Sequence, residues 1–174
     1  MYNPDSEPSF YSSTGLPFEC QRCSGCCRHS PGYVFLSALD LADLLENIKL
    51  PLADFFTRYL RIVTISGFHR LSLKEKPNYD CIFWSDGKCG IYDFRPLQCK
   101  SFPFWSSVLY SRESWESAQS WCPGINKGRL HNPEEIEQWL SLRIDEQIIE
   151  VSPRDKDLPG ETLLKKYLTN ETGT

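Results

Sequence analysis

Cys20-Gln21-Arg22-Cys23-Ser24-Gly25-Cys26-Cys27 places four thiols within eight residues, a density that packing alone seldom produces. The thiolate is the metal-ligating form of cysteine, and a two-residue gap lets the backbone curl so that Cys20, Cys23 and Cys26 converge on one centre. Cys27 follows Cys26 directly, and neighbouring side chains point apart in most backbone conformations, so Cys27 is expected to serve a second centre or a remote partner. Gly25 suits a loop that turns sharply. The remaining cysteines are Cys81, Cys89, Cys99 and Cys122. Four thiols in the loop and four beyond it are enough for two four-ligand centres or clusters.

Two other readings compete with metal binding. Buried unligated cysteines are common in cores, yet they do not cluster in this way. A disulfide framework belongs to an oxidising compartment. No Lys or Arg precedes Arg22, and the first twenty residues hold no continuous apolar core, so neither a secretory signal nor a transit peptide is legible. A cytoplasmic protein is expected, in which cysteines more often hold metal than form disulfides.

A chain of 174 residues with 40% hydrophobic and 24% charged residues has the balance of one ordinary globular domain. Its net charge of -4 argues against a nucleic-acid partner, which would call for a basic excess. The longest uncharged runs, such as Ser101 to Ser111, fall far short of a membrane span.

The prolines and small polar residues of Met1 to Glu19 predict an irregular arm. Ser37 is a good N-cap with Asp40 three residues on, and Leu41, Leu44, Leu45 and Ile48 recur at helical spacing, which predicts a helix over 37–47. Pro51 suits the first turn of a second helix with an apolar face of Leu52, Phe55, Phe56, Tyr59 and Leu60, the two forming a helical hairpin. Ile62 to Ile65 and Arg70 to Leu73 read as strands joined by Ser66-Gly67-Phe68-His69. Asp86-Gly87 marks a turn expected to bring Cys81 back toward Cys89. Asn132 caps a further helix that opens with Pro133, Glu134 and Glu135, and a short helix is expected over 162–168. The reading is α+β: a small single domain, helix-rich, with short strands and long loops held by cysteine-ligated metal centres. An irregular arm covers 1–17, the metal-binding domain 18–150, and a C-terminal tail with a short helix 151–174.

Thiolates around a metal leave a negative centre that basic side chains should offset. Arg22, Arg28 and Arg95 lie within a few residues of a cysteine, as do Lys88 and Lys100. Arg95 is singled out because Pro96 restricts its backbone and a guanidinium donates to more than one sulfur. With eight cysteines available, His29, His69 and His131 are read as non-ligands.

Cys20-x-x-Cys23-x-x-Cys26-Cys27, then Cys81…Cys89-Gly90-Ile91-Tyr92…Arg95-Pro96…Cys99…Phe102-Pro103, and Cys122-Pro123-Gly124 together resemble the YkgJ-type cysteine-cluster family. That family is described as zinc- or iron-chelating, and its members are often labelled iron–sulfur proteins. The resemblance runs from about Phe18 to Gly128 and includes all eight family cysteines. A similar cluster accompanies flagellin lysine methylases, which implies that the module can sit beside an enzyme, although no methyl-donor site is legible here.

Structural zinc sites usually pair two short Cys-x-x-Cys knuckles, whereas the later cysteines are separated by seven, nine and twenty-two residues and form none. A compact Cys-x-x-Cys-x-x-Cys with a remote fourth ligand is closer to ferredoxin-type cluster binding. Three functions follow: an iron–sulfur protein with a redox or electron-transfer role and a protein redox partner, a zinc-stapled interaction module, or an enzyme with an open metal position. Metal-binding energy is folding energy in small sites, so Cys23→Ser is expected to lose metal and to lower the melting temperature. Unchanged metal content and melting temperature in that variant would overturn a centre shared by the loop cysteines.

Overall fold

A computed structural model describes residues 9–169. The start of the predicted arm and the final residues, 1–8 and 170–174, lie outside the described residues. Among the described residues the elements run β1 (Leu16–Phe18), α1 (Ala38–Asn47), α2 (Leu52–Tyr59), β2 (Leu60–Ile65), β3 (Phe68–Leu73), β4 (Trp84–Ser85), β5 (Lys88–Cys89), α3 (Leu97–Lys100), α4 (Arg112–Ala118), β6 (Ile125–His131), α5 (Pro133–Asp145), β7 (Glu150–Val151) and α6 (Gly160–Thr169). Short 3-10 turns occupy Gly25–Cys27 and Tyr92–Phe94. The class is α+β, as expected. The described residues divide into two compact units, the first made of residues 9–26 and 101–142 and the second of 27–100 and 143–169.

In the second unit α1 begins as its sequence predicts. The Ser37 hydroxyl accepts from the Asp40 amide at 3.0 Å, and the Asp40 carboxylate accepts from the Ser37 amide at 3.1 Å, which satisfies two amides that a helix start leaves unpaired. Leu41 and Leu44 are then fully buried, as is Phe55 on α2. The predicted hairpin of helices is not the main packing unit, because both α1 and α2 pack on α6. Gly160 explains the close contact with α2: a Cβ there would stand 2.4 Å from the Phe56 ring. Leu163 and Leu164 of α6 are fully buried in the same core, so the predicted tail contributes core residues.

β2 and β3 pair antiparallel with Ile65 opposite Phe68, and β7 adds to β3 to give the order β2-β3-β7. The connection is tighter than predicted. Ser66 and Gly67 take positive φ values of 51° and 84°, the twist of a two-residue hairpin turn, so Phe68 and His69 belong to the strand. β4 and β5 make a second hairpin around Asp86 and Gly87, with φ values of 50° and 78°.

The first unit is built on an antiparallel pair, β1 with β6, which carries an irregularity between Pro17 and Phe18. Its core includes Phe18, Phe104, Trp115, Ile125 and Ile136. Asn132 caps α5 as predicted, its side-chain oxygen accepting from the Glu135 amide at 2.8 Å. β1, β6 and α4 are absent from the sequence reading. In β6 only the two end residues, Ile125 and His131, are buried, so no alternation marks it, and α4 buries only Trp115 and Ala118.

Asp40 ties two elements together, because its second carboxylate oxygen accepts from the Leu97 amide of α3 at 2.7 Å. Asp40→Ala removes the capping partner and leaves that buried amide unsatisfied, a loss of about 2–4 kcal/mol. Chemical denaturation should show a lower midpoint with little change in slope.

Candidate metal centre

The loop in the first unit turns through non-glycine residues of positive φ, Arg22 at 52° and Ser24 at 63°. Cys20, Cys23 and Cys26 are exposed along it. The loop touches the Trp121–Gly124 turn at two places. A Cβ on Gly25 would stand 2.5 Å from the Trp121 carbonyl oxygen and 3.7 Å from the Cys23 sulfur. Before the loop begins, the Glu19 amide donates to the Gly124 carbonyl at 3.2 Å, and a Cβ on Gly124 would stand 2.2 Å from the Glu19 carbonyl oxygen. Glycine is required at both positions because backbone meets backbone.

Cys122 lies in that turn, buried, with its amide donating to Ala118 at the end of α4 at 2.9 Å. Burial pushes its thiol above the ordinary range; the Cys23 and Cys26 sulfurs push the same way, and backbone hydrogen bonds at Gly124 and Ile125 oppose them. Phe102 and Trp105 belong to the same core cluster as Cys122, and Phe102 lies 5.1 Å between centroids from Trp105 and from Trp121.

Cys27 belongs to the second unit. Its carbonyl accepts from the Cys81 amide at 2.8 Å, so the backbones of these two cysteines meet. Cys81 starts a turn in which the Trp84 amide donates to the Cys81 carbonyl at 2.9 Å, and Trp84 pairs across the hairpin with Cys89. The Asp86-Gly87 turn therefore returns the chain as predicted, with Trp84 rather than Cys81 opposite Cys89. Both cysteines pack on the core of this unit. Cys99 rides on α3, which the Asp40 carboxylate holds at Leu97. The Gln98 side chain accepts from the Phe35 amide at 3.0 Å and donates to the Tyr33 carbonyl at 2.7 Å.

The basic residues divide by role. Arg28 pairs its Nε with the Asp80 carboxylate at 3.1 Å and lies 3.6 Å over the Trp84 ring. Burial raises the Asp80 carboxyl, but hydrogen bonds from Arg28 and Asn78 outweigh it and hold the group below its usual range. Arg95 donates to the Tyr92 carbonyl at 3.0 Å and stacks on the Tyr92 ring at 3.8 Å, so its guanidinium is engaged within its own 3-10 turn. Arg22 contributes a left-handed backbone position.

Arg143 is a basic residue near these elements that the sequence reading did not single out. It stands on α5, far from any cysteine in the chain, and lines a small recess with Asp40 and Gln98. Burial lowers its pKa, while the charges of Cys99 and Asp40 favour its protonated form. His69 meets Thr64 at 2.8 Å, and His131 meets the Phe18 carbonyl at 3.1 Å.

The thiol donors suit zinc or iron chemistry, four to each unit. Among the described residues no three Cys, His, Asp or Glu side chains converge closely enough, as placed, to hold a metal ion. The fit is one of donor type and backbone placement. Among these residues no helix is long and apolar enough to cross a membrane.

Comparison with known proteins agrees with this chemistry. The profile of the CxxCxxCC family, described as "Putative zinc- or iron-chelating domain", matches residues 19–123. An uncharacterized protein of Methanocaldococcus jannaschii, MJ0939, is 29% identical over 147 residues, covering 78% of this chain and 49% of its own length. A second uncharacterized protein of that organism, MJ0661, is 33% identical over 92 residues, covering 52% of this chain and 46% of its own. The chain thus spans about half the length of these curated relatives. No solved structure matches. With the family profile covering Glu19 to Pro123 and every one of the eight cysteines inside it, this chain belongs to the CxxCxxCC family of zinc- or iron-chelating domains.

Proposed function

We propose that the protein is a cytoplasmic iron–sulfur protein with a redox or electron-transfer role, its metal held by Cys20, Cys23, Cys26, Cys27, Cys81, Cys89, Cys99 and Cys122. One observation carries the reading. The loop with Cys-x-x-Cys-x-x-Cys spacing lies against a turn that supplies a remote Cys-Pro pair, Cys122-Pro123, through the contacts at Gly25 and Gly124. Three closely spaced cysteines completed by a distant Cys-Pro resemble the ligand pattern of bacterial ferredoxins.

A bound cluster supplies one-electron transfer at a potential tuned by charge, hydrogen bonding and solvent exposure. The protein's own residues address each of these. Phe102, Trp105 and Trp121 place apolar surface beside the Cys122 turn. Arg143 sets positive charge near Cys99, and Arg28, next in the chain to Cys27, is held over Trp84. A protein redox partner fits this role.

A structural zinc staple is the second reading, and the β4–β5 hairpin favours it. Strands of two residues each have little pairing of their own and gain from a further tie. Elemental analysis for iron, zinc and acid-labile sulfide on protein purified without oxygen separates the two. The expected result is iron with stoichiometric sulfide and visible absorbance that bleaches reversibly with dithionite. Zinc without sulfide would overturn the redox reading.

A further inference from the structure

We infer that metal binding draws the eight cysteines into two separate four-thiol centres, one of Cys20, Cys23, Cys26 and Cys122 and the other of Cys27, Cys81, Cys89 and Cys99. The inference rests on the metal-chelating reading above and assigns its ligands. Order along the chain suggests a different division, with the four loop thiols in one centre and the four later thiols in the other. The structure brings Cys122 to the loop and Cys27 to Cys81, an exchange that the loop spacing already anticipates for Cys27.

Each exchange has its own backbone evidence. Cys122 lies in the turn that the loop touches on both flanks, at Gly25 against Trp121 and at Glu19 against Gly124. Cys27 instead accepts the Cys81 amide, and Glu75 bridges to Cys81 on the strand side. The hairpin that follows Cys81 carries Cys89 onto the core that both cysteines pack against. Cys99 joins them within the same unit, because Asp40 and Gln98 fasten α3 to the segment that follows Cys27. The boundary between the compact units falls at the Cys26–Cys27 peptide, and each unit then contains four thiols. Four thiolates complete a tetrahedral zinc site or a four-iron cluster, so neither unit needs a ligand from the other.

Paired substitutions test the assignment through metal and sulfide content, measured on the full chain. Cys20→Ser/Cys122→Ser should lose no more metal than Cys122→Ser alone and keep about half of the wild-type content, because one centre survives. Cys20→Ser/Cys27→Ser should lose nearly all of it. The reverse pattern, with the Cys20/Cys27 pair keeping half and the Cys20/Cys122 pair losing everything, would overturn the assignment in favour of chain order.

A variant that fails to fold is bypassed by footprinting the wild-type protein. After partial metal removal with a chelator, iodoacetamide labelling read by mass spectrometry should give half-loaded molecules with Cys122 labelled together with Cys20, Cys23 and Cys26, or protected together with them. Label shared by Cys27 and the other three loop thiols, or release of all eight thiols in one step, rejects two centres of this composition. Wild-type protein that holds no metal from the start would instead sink the chelating reading itself.

Discussion

Backbone meeting backbone, with no side chain between, is the constraint on which the candidate centre depends. At Gly25 and Gly124 a single added carbon would fall 2.5 Å and 2.2 Å from a carbonyl oxygen. Neither contact can be relieved by rotating a side chain, since the opposing atoms belong to the main chain. The price of this arrangement is a loop with two non-glycine residues in left-handed conformation, Arg22 and Ser24, a conformation that costs free energy in an isolated peptide. Metal coordination is a natural source of the offset, because in small sites the binding energy of the metal is folding energy.

In the second unit the corresponding role falls to a carboxylate. Asp40 completes the capping box of α1 with one oxygen and holds the first amide of α3 with the other. A helix start and a cysteine-bearing helix of only four residues, Leu97–Lys100, are thereby set by one buried side chain. So short a helix cannot sustain itself, since nucleation is costly and its few hydrogen bonds do not recover that cost. Gln98 adds two further ties to the strand-like segment at Tyr33 and Phe35. Cys99 is placed by hydrogen bonds from other elements.

Charge around the thiols follows the same logic of distant supply. The arginine singled out by sequence proximity, Arg95, turns back on Tyr92. Arg143, which no cysteine neighbours in sequence, shares a recess with Gln98, the residue before Cys99, and the charge of Cys99 favours its protonated form. Arg28, next in the chain to Cys27, has its head fixed by Asp80 and Trp84. Buried or half-buried cations placed beside sulfur tune both ligand acidity and, for iron, potential.

The sequence by itself determined the features whose causes are local. Ser37 with Asp40 and Asn132 with Glu135 name two helix starts, because a cap acts within one turn. Ser66-Gly67-Phe68-His69 and Asp86-Gly87 name two reversals of the chain, because turn residues act locally, although the first turn proves to be Ser66-Gly67 alone. The eight thiols and their Cys-x-x-Cys-x-x-Cys core name the donor chemistry and the family. Tertiary structure alone decided what depends on contacts distant in the chain. β6 pairs with β1 across more than a hundred residues and shows no alternation, since only its ends are buried. The packing of α6 against α1 and α2, the approach of Cys122 to the loop, the association of Cys27 with Cys81 and the placing of Arg143 near Cys99 all arise the same way. Each is set by which surfaces close against one another, and spacing along a chain holds no record of that closure.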